Sequence, residues 1–302
     1  MAQDAIPRRP PAWEEALASR LFRALAPRLP SAAQPETPPE LAPFEEVAIE
    51  RSDSGRLSAV WYPATAGTRG AVLLLHPWMI WGKAYFHARR RIQTLRSAGY
   101  HVLTPDFSGF GASSRSKGFF DRDVEACLEF LRERSGGLPL HVWGVSFGGY
   151  WAHVALGQAQ DVAGAVFEDV APHMLEWSWR VAPMGRPFYL LFRAAFRRAY
   201  RYLDLRKQAT ALRLRAVLYV GGDQDPGIPP DDTRELASIA QGRHWIVAGA
   251  GHLGSIKVAT EEILGMALAT FQRAEAMAAG ATGPSPTRVD DRKEAPSPVC
   301  RS

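Results

Sequence analysis

The sequence predicts an α/β fold: a mostly parallel, doubly wound sheet flanked by helices, with a helical cap inserted late in the chain. Three observations predict it. Short, continuously apolar runs alternate with helical patterns through residues 44–275, and strands covered on both faces are the ones that read as unbroken apolar stretches. A serine between glycines, in "HVWGVSFGGYWAHVALG" (141–157), joins one such run to an alanine-rich helical stretch. The alternation breaks once, over residues 172–207, where helical pattern continues without an intervening strand.

In chain order, residues 1–43 read as a proline-rich extension, with "SAAQPETPPELAP" as linker. Within it Trp13, Leu17, Leu21 and Leu25 recur every four positions and predict a short amphipathic helix, its apolar stripe docked on the protein rather than on lipid. The main domain is expected over residues 44–275. Buried strands are expected at 71–76, 101–106, 140–145, 162–170, 216–222 and 244–249, and helices at 85–99, 119–134, 150–158, 231–240 and 261–274. The break at 172–207 holds Trp177, Trp179, Phe188, Tyr189, Phe192, Phe196, Tyr200 and Tyr202, and predicts an inserted helical cap. Residues 276–302 are poor in apolar side chains and read as a disordered tail.

Composition bounds the function. The chain has 302 residues, 46% of them hydrophobic and 22% charged, which suits one large single-core domain and excludes a chain disordered throughout. Between Pro172 and Arg215 ten Arg and Lys face two acids, against a net charge of +5 for the whole chain. The basic character is therefore local, and no nucleic-acid partner is expected. Cys127 and Cys300 lack disulfide-framework or metal spacing and fit a reducing, cytoplasmic setting. No apolar run approaches a membrane span, and no cofactor or metal motif is present.

The chemistry centres on Ser146. A sharp strand–turn–helix corner strains the backbone at the serine, so small residues are needed where the chain crowds itself; Gly144 and Gly148 supply that room. The turn lifts the hydroxyl clear of the sheet and places the Phe147 N–H at a helix N-terminus, where an anion is favoured. A serine hydroxyl needs a base. His252, in the glycine-rich loop "VAGAGHLGS" after a strand, is the candidate, whereas His153, His244 and His101 lie on or beside regular elements. The base needs an acid. "LYVGGDQDPGIPPDD" offers Asp223 and Asp225, of which Asp225, further past the strand end, is preferred; Glu168 and Asp169 after the preceding strand are the alternative. In "LLLHPWMIWG", Pro77 has no N–H, so Trp78 is the candidate second oxyanion donor and His76 shapes the loop.

These residues resemble the α/β-hydrolase superfamily over about residues 44–275. "LLLHPW" is similar to its strand and oxyanion loop and "TPDFSGFGASS" to its aspartate–glycine–glycine–serine loop, through Asp106, Gly109, Gly111 and Ser113. "GVSFGG" is similar to its nucleophile elbow, "VGGDQD" to its acid loop and "GAGH" to its histidine loop, all in order. The chain departs at His76-Pro77, where many members have His-Gly. The resemblance implies a serine hydrolase, with a lid at 172–207 forming most of an acyl pocket. Trp177, Phe188 and Phe192 are its candidate substrate contacts, and Phe188, Phe192 and Phe196 share one helical face. The implied substrate is a small acyl ester or thioester. An acyltransferase or peptidase with the same triad, and a non-catalytic binding protein, are the competing functions. The basic, aromatic cap suits either weak contact with a membrane surface or an ordinary cap with packed rings and solvated arginines.

Overall fold

The computed structural model describes residues 7–25, 34–158, 161–182 and 186–280. Cys300, most of the expected tail and part of the proline-rich linker lie outside the described residues.

Eight strands form one sheet: β1 (Glu45–Glu50), β2 (Arg56–Tyr62), β3 (Gly70–Leu75), β4 (Tyr100–Pro105), β5 (Leu140–Val145), β6 (Val162–Glu168), β7 (Ala216–Gly222) and β8 (Arg243–Val247). Their order is β1-β2-β4-β3-β5-β6-β7-β8. β1 pairs antiparallel with β2, β2 antiparallel with β4, and every later pairing is parallel. β3, β5 and β6 are buried at every residue, which is why they read as continuous apolar runs. β1 and β2 are absent from the sequence expectation. β1 lies at the sheet edge and exposes four of its six residues, so it carries no continuous apolar run to read.

Helices cover both faces. α2 (Arg91–Ser97), α10 (Ser255–Val258) and α11 (Thr260–Ala278) pack one core with the sheet; α1 (Ala12–Leu25), α3 (Asp121–Arg134), α4 (Phe147–Leu156) and α9 (Pro230–Ile239) pack the other. The helix expected over 85–99 is split. A 3₁₀ turn (Gly82–His87) is followed by Arg89 and Arg90 at φ 67° and 58°, and only then by α2. The break falls where Arg91 enters the core, fully buried against Glu168. α11 runs three residues into the expected tail.

The interruption between β6 and β7 is α5 (Met174–Val181), α6 (Arg186–Ala195), α7 (Arg197–Tyr202) and α8 (Leu205–Ala209). α8 packs on α4 and α9, so it belongs to the layer beneath the sheet, and the cap proper is α5 to α7. Phe196 lies between α6 and α7, so Phe188, Phe192 and Phe196 do not share one helix, although their rings touch in series at 5.9 and 5.1 Å.

α1 corrects its expectation. Trp13 and Leu17 of the apolar stripe are 66% and 50% exposed. The docked face carries Glu14, Glu15, Ala18 and Ser19, all buried, with Phe22 packed against the core. Glu14 accepts hydrogen bonds from the N–H groups of Arg198 and Ala199 at the start of α7. Glu15 accepts from the Phe119 N–H and pairs with Arg122. Ser19 donates to the Lys117 carbonyl, and Arg23 to that of Gly118.

Candidate active site

β5 ends at Val145 and α4 begins at Phe147, leaving Ser146 alone on the corner at φ 48°, ψ −112°. A non-glycine residue at positive φ is strained and persists only where its surroundings hold it. Here the Ser146 N–H donates to the Glu168 carbonyl at 2.7 Å, and its carbonyl accepts from the Tyr150 N–H at 2.8 Å. The neighbouring glycines are required by contact. A Cβ on Gly148 would lie 2.3 Å from the Leu75 carbonyl oxygen, and one on Gly144 would lie 2.4 Å from the Gly149 Cα. Helix α4 is thereby pressed onto the ends of β3 and β5.

The structure brings Ser146, His252 and Asp225 into one hydrogen-bonded line. Ser146 Oγ is 2.9 Å from His252 Nε2, and His252 Nδ1 is 2.6 Å from Asp225 Oδ2. The other Asp225 oxygen accepts from the N–H groups of Gly227 and Ile228, which fixes the carboxylate in the loop after β7. Asp223 instead accepts from the Gly249 N–H at 2.7 Å and shapes the loop after β8. Glu168 is committed elsewhere: it takes both Arg91 bonds and the Trp143 indole N–H.

Asp169 stands close to the histidine. It accepts from the Leu253 N–H at 2.9 Å, holding the residue after His252, and it lines the same cavity. Burial pushes its carboxyl up to about 7, against the opposing charge of His252. For His252, burial works to lower the pKa. The hydrogen bond and charge of Asp225, with the charge of Asp169, outweigh burial and hold the imidazole above its ordinary value.

Phe147 and Trp78 both line the cavity over Ser146, and their rings meet edge-on at 4.8 Å. Phe147 is the first residue of α4, so its N–H is one of the unpaired donors of a helix start. His76 is fully buried, with Nδ1 2.7 Å from the Pro77 carbonyl and Nε2 accepting from the Phe107 N–H. Burial holds it below its ordinary pKa, so it is a neutral brace of the loop. Asp106 likewise braces, accepting from Gln34 and from the backbone and ammonium of Lys83.

The cavity measures about 650 Å³, and Ser146 and His252 open into it. Of the cap residues named from sequence, Trp177 and Phe188 line it. Phe192 does not: it is 1% exposed and borders a separate void of about 10 Å³ behind the wall. The cap supplies one wall, chiefly through α5, rather than most of the pocket. Loops of the sheet supply Pro77, Trp78, Ala171, Ile228 and Leu253. Phe22 of α1 also lines the cavity and was not a candidate from sequence, because only tertiary docking turns that ring inward. Among the described residues, no group of three or more His, Cys, Asp or Glu is placed to hold a metal ion.

A parallel sheet with a strained serine corner after β5, an acid loop after β7 and a histidine loop after β8 is the architecture of the α/β hydrolases. The family model described as "alpha/beta hydrolase fold" matches residues 70–190. The esterase Pf2001 of Pyrococcus furiosus superposes with a TM-score of 0.67 at 18% identity, over 82% of this chain and 97% of that one. The chain has the α/β-hydrolase fold. It is 35% identical over 116 residues to monoglyceride lipase of Saccharomyces cerevisiae, covering 34% of this chain and 36% of that protein. It is 28% identical over 118 residues to lysophosphatidylserine lipase ABHD12 of Xenopus tropicalis, covering 38% and 31%. The chain thus spans about a third of the length of these relatives.

Proposed function

We propose that the protein is a serine hydrolase that cleaves a carboxylic ester or thioester through an acyl-enzyme. The observation that carries this reading is the Ser146–His252–Asp225 line at the floor of a largely apolar cavity. In the first half-reaction Ser146 Oγ attacks the carbonyl carbon while His252 Nε2 takes the hydroxyl proton. Asp225 accepts the Nδ1–H bond, fixes the tautomer and stabilises the imidazolium. The N–H groups of Phe147 and Trp78 receive the oxyanion. His252 then returns the proton to the leaving alcohol or thiol. In the second half-reaction water attacks the acyl-enzyme with His252 again as base, releasing the acid and restoring Ser146.

A cavity of about 650 Å³ is the size of a small-ligand site and suits one acyl chain. Two relatives are named for monoglyceride and lysophosphatidylserine, esters that carry a single chain each. A single-chain acyl ester is therefore the substrate class proposed. Weak contact with an anionic lipid surface belongs to the same reading, supported by the exposed Trp13, Leu17, Leu190 and Leu191.

The test is a panel of aryl esters and acyl thioesters with a fluorophosphonate label read by mass spectrometry. Ser146→Ala is expected to lose the label and nearly all turnover while keeping its melting temperature. Asp225→Asn is expected to slow turnover about 10⁴-fold, as removal of a triad aspartate does, and Asp223→Asn far less. Near-normal hydrolysis by Ser146→Ala would sink the reading.

A further inference from the structure

The two voids around the cap share four wall residues: Phe22, Tyr150, Met174 and Leu175. On one side of this wall is the large cavity over Ser146. On the other is the small void of about 10 Å³, bordered also by Phe119, Trp151, Phe192 and Leu203. We infer that Phe22, carried into the pocket by the N-terminal helix, is the end wall that sets the acyl chain length the enzyme accepts. This inference rests on the ester-hydrolase reading for its substrate class.

The four wall residues are not equivalent. Tyr150 is buried, and its hydroxyl donates to the Leu203 carbonyl, so its ring is fixed from beneath. Met174 and Leu175 open α5, whose start is held by the buried His173 ring accepting from the Leu175 N–H. Phe22 alone comes from outside residues 44–275. Its ring stands edge-on to Trp78, of the oxyanion loop, and to Trp151 of α4, at 6.4 Å from each. An end wall must sit where the chain stops and must not yield. Phe22 lines both voids, and it is held in place because α1 is tied to both the cap and the body. Glu14 grips the start of α7 in the cap, whereas Glu15, Ser19 and Arg23 grip residues 117–122 of the body. α1 thus holds cap and body at fixed separation, with Phe22 on its inner face.

Behind Phe22 the lining is aromatic and aliphatic apart from His173, whose ring nitrogens are paired with the Tyr200 carbonyl and the Leu175 N–H, so shortening the side chain would join the small void to the cavity and extend a largely apolar channel. Each further methylene buried there is worth roughly fourfold in binding. The ring also lies against Trp78, whose N–H is the proposed oxyanion donor, so an acyl chain that ends at Phe22 lies along the oxyanion loop. Phe22 therefore acts on which chain fits and not on the bond-breaking atoms.

The experiment uses the full chain as wild type, Phe22→Leu and Phe22→Trp. Phe22→Leu shortens the wall while keeping apolar contact with Trp151, and Phe22→Trp fills the space. Two profiles are measured: kcat/KM for p-nitrophenyl esters from two to sixteen carbons, and calorimetric affinity for the free fatty acids of the same lengths. The expected result is an optimum moved to longer chains in Phe22→Leu and to shorter chains in Phe22→Trp. The long-to-short ratio should change at least tenfold between them. Superimposable length profiles in all three proteins overturn the inference. A length profile that shifts in fatty-acid binding while no ester is turned over keeps Phe22 as the end wall and removes the hydrolase reading instead.

Discussion

His252 sets the pH dependence at the level of single residues. In the proposed mechanism it accepts the Ser146 proton only when neutral, and its pKa is held above the ordinary imidazole value of about 6.5 by Asp225 and Asp169 together. The acid limb of kcat/KM should therefore lie above that value, with activity lost as pH falls through it. Asp169→Asn separates the two carboxylates. The amide oxygen still accepts the Leu253 N–H, but the negative charge that favours the imidazolium is gone, so the limb should move to lower pH. A limb that stays in place would assign the whole shift to Asp225. The serine and the histidine were legible in the sequence because each sits in a short, self-contained loop motif. The choice between Asp223 and Asp225 was less legible, since both follow β7 by a few residues. It is made by which carboxylate meets His252 and which meets the Gly249 N–H, two contacts from a loop that follows β8. Phe192 was misplaced for a related reason: its spacing fixes the side of the helix it occupies, but not which of two voids that side faces.

The elements divide by how local their cause is. Strands β3 to β7 were readable because burial on both faces makes them largely apolar, whereas β1, mostly exposed at the sheet edge, offered no such run. α1 was readable as a helix, but of its apolar stripe Leu21 packs on the core while Trp13 and Leu17 face out. Its docked face is rich in polar groups, and what satisfies them, Arg122 and the first N–H groups of α7, lies about 100 and 180 residues away along the chain. The consequence is an outer face with Trp13, Leu17 and Arg20 exposed, on a helix packed against α7, where Arg197, Arg198 and Arg201 are exposed as well. Exposed apolar side chains among unburied arginines suit the headgroup region of an anionic bilayer. No described helix is long and apolar enough to cross a membrane. The protein should sediment with phosphatidylglycerol vesicles at low salt, release as salt rises, and ignore phosphatidylcholine. Replacing Trp13 and Leu17 with alanine should weaken that sedimentation several-fold and leave turnover of a soluble short-chain ester unchanged. Equal sedimentation of variant and wild type would remove the surface.

Across the whole molecule, the proposed site and the Glu275 cluster lie at opposite ends of the parallel strands. Ser146, Asp225 and His252 all follow the carboxyl ends of their strands, where a parallel sheet opens its crevice. The amino-terminal edge is fastened by one side chain near the end of α11. Glu275 accepts from Arg69, just before β3, from the Tyr100 hydroxyl at the start of β4, and contacts His141 near the start of β5. Burial works to raise the Glu275 pKa, but the hydrogen bonds from His141, Tyr100 and Arg69 outweigh it and bring it down to about 2. Burial meanwhile holds His141 below its ordinary value, so at neutral pH the contact is an uncharged imidazole N–H donating to a carboxylate. A carboxyl depressed in the folded state stabilises the protein above its unfolded pKa, about 4.3, and that stabilisation is lost as pH falls from there through about 2. Glu275→Gln should therefore lower unfolding free energy at pH 7 by about 1–3 kcal/mol, the scale of hydrogen bonds to a charged group. The difference from wild type should shrink as the pH is lowered through that window, and kcat should hold, because no atom of the cluster reaches the cavity. Urea titrations at pH 7, 4 and 2.5 measure the first two quantities. A stability gap that is constant with pH would mean that the Glu275 charge is not what ties α11 to the sheet, and that the apolar contacts of Phe271 and Ala274 hold it alone.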